Sequence, residues 1–215
     1  LDWTGFLLFS VVITCGQLMM DRGDREDWLD SYEIWSYLAL IVVALWMFLV
    51  HTVTTDNPFF NLQLFKYRNF SIGIFLVFVY GMLNITPTVM IPTMLQNLMG
   101  YPDTMIGILL ASRGAGMALG FLVVAKIGKF DPRIGMILGI SAIALSGWNM
   151  ALFTLDVDPW TVAWNAILHG VGSAILWVPL SIVTFATLPV SLLPDASSIF
   201  HLLRNFGSSI FISKI

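Results

Sequence analysis

The chain has 215 residues, of which 58% are hydrophobic and only 11% are charged, and its formal net charge is -3. Soluble domains carry about 25% charged residues, so this composition excludes a water-soluble globular domain. The sequence has no basic stripe that would bind nucleic acid, and its single cysteine, Cys15, excludes an intrachain disulfide and a cysteine-based metal cluster.

Seven apolar stretches follow one another along the chain. A helix needs about 20 apolar residues to cross a bilayer. Arg68 and Asp103 enclose 34 residues without a charged side chain, and the run between Asp158 and Asp195 is longer. We therefore predict an all-α, polytopic membrane helical bundle. The predicted spans are 3–20, 34–53, 71–95, 104–125, 134–155, 160–187 and 197–215, the last of them truncated.

Basic residues in short loops predict the orientation, because such loops stay in the cytoplasm. Lysine and arginine concentrate in loops 54–70 and 126–133, so we assign these loops, and with them 188–196, to the cytoplasmic side. Segment 57–70 is amphipathic and is expected to lie along that membrane surface. The chain opens at Leu1 without a methionine and stops within an apolar pattern, so we expect it to be an internal piece of a longer protein.

The third and fourth stretches contain prolines and glycines that affect helix geometry. Pro87 and Pro92 follow Asn84 in the third stretch, and each proline frees a backbone carbonyl and is expected to bend the helix. Gly116 and Gly120 have the GxxxG spacing that allows two helices to approach closely. Helix packing is the favoured interpretation of the two glycines, and a functional role is the alternative.

Two ionisable side chains lie deep in predicted spans, where such residues are rare and mark candidate functional sites. Arg113 is about 13 Å into the fourth span. It either bonds to helix-end carbonyls and locks two helices together, or it takes part in coupling or substrate passage. His169 lies in the middle of the sixth span. A histidine can carry a proton near neutral pH, but hydrogen bonding to a neighbouring helix is the favoured interpretation.

The seventh stretch contains a polar face. His201, Arg204 and Asn205 are three to four residues apart, a spacing that places them on one side of a helix. Such a face indicates an aqueous or inter-helix position, and the alternative is anchoring near the cytoplasmic interface. No aspartate or glutamate lies deep in any span, and no catalytic motif, metal-ligand pattern or cofactor motif is present. We therefore predict neither an enzyme nor a metal or cofactor protein.

Several short motifs are informative through their order. Asp2, Gly5 and Leu8 form a D-x-x-G-x-x-L pattern, residues 112–116 read S-R-G-A-G, and residues 128–133 read G-K-F-D-P-R. Together they resemble the motifs of the 14-span drug:proton antiporters, the EmrB/QacA-like branch of the major facilitator superfamily. In that branch a proline is common where Ser112 stands. The residues carrying the resemblance are Asp2, Gly5, Leu8, Gly114, Gly116, Lys129, Asp131, Arg133 and Gly207.

The resemblance implies a major facilitator-type bundle divided into three parts. Residues 1–55 would hold two linker transmembrane helices, 56–68 an amphipathic cytoplasmic connection, and 69–215 part of the C-terminal six-helix bundle. It implies proton-driven efflux of amphipathic organic compounds by alternating access across a bacterial inner membrane. The implied partners are a small amphipathic substrate, protons and the lipid bilayer, and a periplasmic adaptor protein is a further candidate.

The same resemblance organises the candidate site residues. The main proton-binding carboxylate is expected in an N-terminal bundle outside this chain. A non-transport receptor or scaffold, and an exporter of lipids or siderophores, are the alternatives to drug efflux. The coupling candidates are Arg113, His169, His201, Arg204 and Asn205, and the cavity or gating candidates are Asn84, Pro87, Pro92, Trp177 and Pro179.

Overall fold

The computed structural model describes residues 2–23, 25–55, 58, 61–127 and 131–212. Within these ranges the chain forms seven α-helices and three short 3-10 helices, with no β-strand. The all-α prediction is confirmed. The α-helices are α1 (Trp3–Arg22), α2 (Tyr32–Thr54), α3 (Arg68–Asn97), α4 (Asp103–Ile127), α5 (Pro132–Ala151), α6 (Pro159–Phe185) and α7 (Leu193–Ile212), and the 3-10 helices are Trp28–Asp30, Leu62–Lys66 and Val190–Leu192.

Helices α1 to α6 are long and apolar enough to cross a membrane, which makes this a multi-pass membrane protein. They also expose large apolar side chains, such as Trp46 and Val53 on α2, as expected of helices surrounded by hydrocarbon. Helix α7 begins at Leu193, earlier than the predicted start at 197. Pro194 fits this first turn, because the first backbone N–H groups of a helix have no intrahelical acceptor.

Polar caps set the ends of several spans. The side chains of Asp2, Ser31, Asp131 and Asp158 each accept a hydrogen bond from a backbone N–H in the first turn of α1, α2, α5 and α6. Helix α5 ends at Ala151 rather than at 155. Its last turn tightens, since the amides of Leu152 and Phe153 donate to carbonyls three residues back.

The predicted surface segment 57–70 falls partly outside the described residues, which omit 56, 57, 59 and 60. The described part contains the 3-10 helix Leu62–Lys66, capped by the Asn61 side chain. Leu64 is fully buried there, whereas Leu62 and Phe65 are exposed. Lys129, in the predicted basic loop, also lies outside the described residues. The orientation and the three-part division of the chain stay predictions.

The chain forms two compact units, one of which is discontinuous in sequence. Unit 1 comprises Leu1–Met82 and Thr187–Ile215. Within it α1 packs against α2 and contacts α7. Helix α7 approaches the first part of α3 closely. A Cβ added to Gly207 of α7 would overlap the Phe78 carbonyl of α3, and a Cβ added to Gly81 of α3 would overlap the Arg204 carbonyl of α7. The Ser208 hydroxyl donates to the Gly81 carbonyl at 3.0 Å.

Unit 2 comprises Leu83–Ala186 and is organised around α6. Helix α6 packs against α4 on one side and α5 on the other. Near its N-terminus, Val162 joins an apolar cluster with side chains from the second part of α3 and from α4. The buried members of this cluster are Ile91, Leu95, Ile106, Leu109 and Val162.

Candidate functional site

Arg113 on α4 is the centre of a hydrogen-bond network that joins three helices of unit 2. Its Nη2 donates to the Asn84 side-chain oxygen Oδ1 at 2.5 Å and to the Asn84 carbonyl at 3.0 Å. Its Nη1 donates to the Thr88 hydroxyl at 2.6 Å. On the opposite side, its Nε donates to His169 Nδ1 at 3.3 Å. The guanidinium therefore connects α4 to α3 and to α6.

The prolines of α3 help to supply acceptors for this network. Pro87 is buried and lacks an N–H, so the carbonyl of Leu83, four residues earlier, loses its helical donor. The His169 ring lies beside the Leu83 backbone. The carbonyl that Pro87 leaves without a helical donor is therefore next to the polar network of Arg113. The α-helix nevertheless continues through both Pro87 and Pro92.

The Ser173 side chain closes the network into a ring. Asn84 Nδ2 donates to the Ser173 hydroxyl at 3.2 Å, and that hydroxyl lies 3.4 Å from His169 Nδ1. An arginine Nε can only donate, so Nδ1 of His169 must accept, and a neutral ring then carries its proton on Nε2. The acceptors in these bonds are neutral amide, hydroxyl, carbonyl and imidazole groups. The network can therefore orient a fixed positive charge inside the bundle.

Glycines bring the backbones of unit 2 into direct contact. A Cβ added to Gly116 or Gly170 would overlap the facing main chain, at the Ile167 or Arg113 carbonyl oxygen. Gly120 lies against Ala174 and Val171 in the same way. The predicted packing role of the GxxxG pair is thus observed. Gly114 is different, because a Cβ there would meet no atom within 4 Å.

On the other side of α6, Gly139 of α5 lies against Leu176, and Gly172 lies against Ala142. Pro179 is buried in α6 and faces Gly135 of α5, with its Cγ 3.2 Å from the position of a Cβ there. Trp177 is partly buried, and its carbonyl accepts a hydrogen bond from Ser181 at 2.7 Å. These cavity or gating candidates belong to unit 2, as do Asn84, Pro87 and Pro92.

The polar residues of α7 belong to unit 1. Arg204 donates to the Asn205 side-chain oxygen through Nε at 3.3 Å and Nη2 at 3.0 Å. His201 and Asn205 are exposed, and the His201 ring stacks edge-on against Phe200. Of the five coupling candidates, the structure brings Arg113 and His169 together in one unit and places the three α7 residues in the other.

The motif residues at the start of the chain form a second polar contact, also in unit 1. Asp2 Oδ1 accepts from the Gly5 amide at 2.8 Å and lies 2.8 Å from His51 Nε2 of α2. Gly5 is buried, and Leu8 lines a cavity of about 290 Å³ beside His51. Further along the chain, Asp131 caps α5 by accepting from the Arg133 amide at 3.0 Å.

Asp2 should contribute to stability in two ways, through its cap on α1 and through its contact with His51 of α2. We expect Asp2→Ala to destabilise the protein by about 1 kcal/mol through loss of the helix cap alone. Asp2→Asn should keep the cap and remove only the carboxylate charge beside His51. Thermal unfolding of the purified intact protein measures both effects. Wild-type stability in the Ala variant would show that neither interaction matters.

Some residues of the network were not predicted as site residues. Thr88 lies four residues after Asn84, and Ser173 lies four residues after His169, so helical spacing places each on the face of its predicted neighbour. The pairing of Asp2 with His51 has no comparable sequence signal. Within the described ranges, the structure contains no group of three or more histidine, cysteine, aspartate or glutamate side chains that could hold a metal ion.

Comparison with known proteins agrees with this architecture. The sequence profile of the Major Facilitator Superfamily matches residues 5–212. The multidrug export protein EmrB of Escherichia coli (strain K12) is 33% identical over 215 residues, which are 98% of this chain and 41% of that protein. EmrB of Haemophilus influenzae is 29% identical over 98% of this chain and 42% of its own length.

A relative named for a different role is the fatty acid resistance protein FarB of Neisseria gonorrhoeae. It is 30% identical over 100% of this chain and 42% of its own length. The chain thus spans about two-fifths of the length of these curated relatives. The resemblance to the EmrB/QacA-like branch is confirmed, and the chain belongs to the Major Facilitator Superfamily.

Proposed function

We propose that the protein containing this chain exports amphipathic organic compounds in exchange for protons. The observation that carries the proposal is the similarity over 98% of the chain to a protein named as a multidrug exporter. The chain would form part of the C-terminal half, in a bacterial inner membrane, with its basic loops in the cytoplasm. Two bundles would alternate their access around a central cavity, and a periplasmic adaptor protein is a candidate partner.

Arg113 would hold the helices of the C-terminal half in a fixed register while the transporter changes its access. The support is geometric, because one guanidinium bonds to α3 and α6 from its position on α4. A planar group with five donors suits such multiple contacts better than an ammonium group does. His169 would serve as a neutral acceptor for Arg113 rather than as the proton carrier.

Fatty acids are the second candidate substrate class. The relative FarB, named for fatty acid resistance, is similar over 100% of the chain at 30% identity. Fatty acids are also amphipathic, so both substrate classes would require a mostly apolar cavity with a few polar groups.

Efflux measurements on the intact protein test the proposal. In bacteria that lack their own efflux pumps, expression should accelerate the loss of a preloaded amphipathic dye, and a protonophore should abolish the acceleration. Proteoliposomes with an imposed pH gradient should reproduce the effect with purified protein. A labelled long-chain fatty acid, assayed in parallel, distinguishes the second candidate. Export that persists without a proton gradient would contradict proton coupling, and no export of either compound would contradict the transport function.

His169→Gln is expected to preserve export across about pH 5.5 to about pH 8.5, a range that brackets ordinary histidine titration. The glutamine carbonyl can accept the hydrogen bond that Arg113 Nε donates to Nδ1 in the wild type. A proton on Nδ1 would instead break that bond and bring two positive charges together. Export rates at several pH values, normalised to the amount of variant protein in the membrane, provide the measurement. A pH profile shifted relative to that of the wild type would assign proton coupling to this histidine.

A further inference from the structure

An open cavity of about 680 Å³ lies in unit 2, where the end of α5 and the following loop face the first half of α6. Its volume is in the range of small-molecule sites, about 300–1,000 Å³. The coupling and gating candidates are not among the residues that line this cavity. The lining residues that matter here are Asn149, Phe153, Val157, Trp160, Trp164 and Asn165.

The side chain of Asn165 identifies this cavity as more than a gap in the packing. Asn165 is only 4% exposed, and neither its Nδ2 nor its Oδ1 has a hydrogen-bond partner among the described residues. Its backbone, by contrast, is bonded, because the Ser146 hydroxyl donates to its carbonyl at 3.3 Å. A buried polar group without a partner costs about 1–3 kcal/mol, so such groups are rare unless something binds them.

The cavity lining defines the chemistry of a matching ligand. Its side chains carry no charge, and its polar side-chain groups are the amides of asparagines, the hydroxyls of threonines and the indole N–H groups of two tryptophans. Trp160 and Trp164 stand edge to face, with ring centroids 5.9 Å apart, and both are more than half exposed. Asn165 lies six residues after Pro159, where α6 begins, or about 9 Å along the helix. The cavity is therefore near one membrane interface.

We propose that this cavity binds an uncharged amphiphile whose amide or hydroxyl group both donates to and accepts from the Asn165 side chain. The two polar atoms of that side chain have almost no accessible surface in this structure, so the side chain would turn towards the ligand on binding. The apolar part of the ligand would lie against the two tryptophans and Phe153. An ionic head group is disfavoured, because the lining offers no counter-charge and a charge transferred there would lose its hydration. A membrane lipid with a neutral head group and a free compound drawn from the membrane would both satisfy this chemistry.

Binding to the purified intact protein in detergent tests the proposal, with two probes of equal chain length. Radiolabelled decanamide can both donate and accept a hydrogen bond, whereas methyl decanoate can only accept. We expect saturable binding of decanamide, weaker binding of the ester, and an affinity for decanamide reduced about tenfold in Asn165→Leu, which corresponds to about 1.4 kcal/mol. Asn97→Leu, an exposed position outside the cavity, is the matched control and should bind as the wild type does.

A second variant keeps the proposal testable if Asn165→Leu fails to fold. Thr161 is exposed and lines the cavity one helical turn before Asn165, so Thr161→Trp should narrow the cavity beside that amide and weaken decanamide binding, with little effect on folding. Equal binding by the wild type and both variants, or no saturable binding at all, would overturn the proposal and leave a cavity that holds only water. This outcome is independent of whether the protein exports anything.

Mass spectrometry of the protein purified from cells distinguishes the two sources of ligand. A neutral lipid that co-purifies with the wild type and is less abundant in Thr161→Trp would identify the occupant as a membrane lipid. A wild-type protein that carries no lipid but binds decanamide would identify the site as one for free compounds. Both results support the cavity as a ligand site.

Discussion

Arg113→Ala is expected to reduce the proposed export at least about tenfold while leaving the amount of protein in the membrane close to that of the wild type. The substitution removes the donor to Asn84, Thr88 and His169 at once. His169 Nδ1 keeps the Ser173 hydroxyl at 3.4 Å, and the Asn84 carbonyl keeps the Thr88 hydroxyl at 3.3 Å. The Asn84 side-chain oxygen and the Thr88 hydroxyl lose the Arg113 donor, at about 1–3 kcal/mol each, and about 1.4 kcal/mol in a transport barrier is tenfold in rate. Efflux of a preloaded dye, normalised to membrane protein, measures the effect.

Two further variants make the Arg113 experiment specific. Arg113→Lys keeps the charge but loses the planar fork that reaches α3 and α6 together, so only part of the activity should return. Arg25→Ala removes an exposed arginine outside the network and should leave export unchanged. A fully active Arg113→Ala variant would show that the network is incidental to transport.

Gly116→Ala is expected to destabilise the protein by about 1–3 kcal/mol, the range of overpacked cores. The added methyl group would overlap the Ile167 main chain. It would lie 2.8 Å from the Ile167 Cα and 2.9 Å from the Ile167 carbonyl carbon. Because these are backbone atoms, no side-chain rotation relieves the overlap and the two helices must separate. Thermal unfolding and size-exclusion chromatography of the purified protein measure the loss.

Gly114→Ala provides a control of the same chemistry two residues away. A Cβ there meets no atom within 4 Å, and alanine is a better helix former than glycine by about 1 kcal/mol. This variant should therefore be as stable as the wild type or slightly more stable. If both variants unfolded at the wild-type temperature, the close contact between α4 and α6 would not contribute to stability.

The helices could be predicted from the sequence because their apolar runs are longer than any soluble core requires. Errors are confined to helix ends, where local chemistry decides. Pro194 allows α7 to begin at Leu193, and tightening of the last turn ends α5 at Ala151. Such effects depend on single residues and are invisible to hydrophobic periodicity.

The network around Arg113 could be predicted only in part. The rarity of a charge at membrane depth identified Arg113, and the missing N–H of proline indicated a free carbonyl in α3. That His169 lies beside Arg113 did not follow, because the two residues are 56 positions apart and periodicity within a helix does not specify its neighbours. Asn165 gave no signal at all, since its importance comes from burial without a partner.

The glycine contacts along α6 have a mechanical consequence. Backbone meets backbone between Gly116 of α4 and Gly170 of α6, and between Gly139 of α5 and Gly172 of α6. At these points no flexible side chain lies between the two glycines to absorb a displacement. If one helix slid past another, its carbonyl groups would collide with the backbone of the facing helix. Helices α4, α5 and α6 should therefore move as one rigid body during the proposed change of access. The deformation must occur in parts of the protein where side chains, rather than backbones, form the contacts.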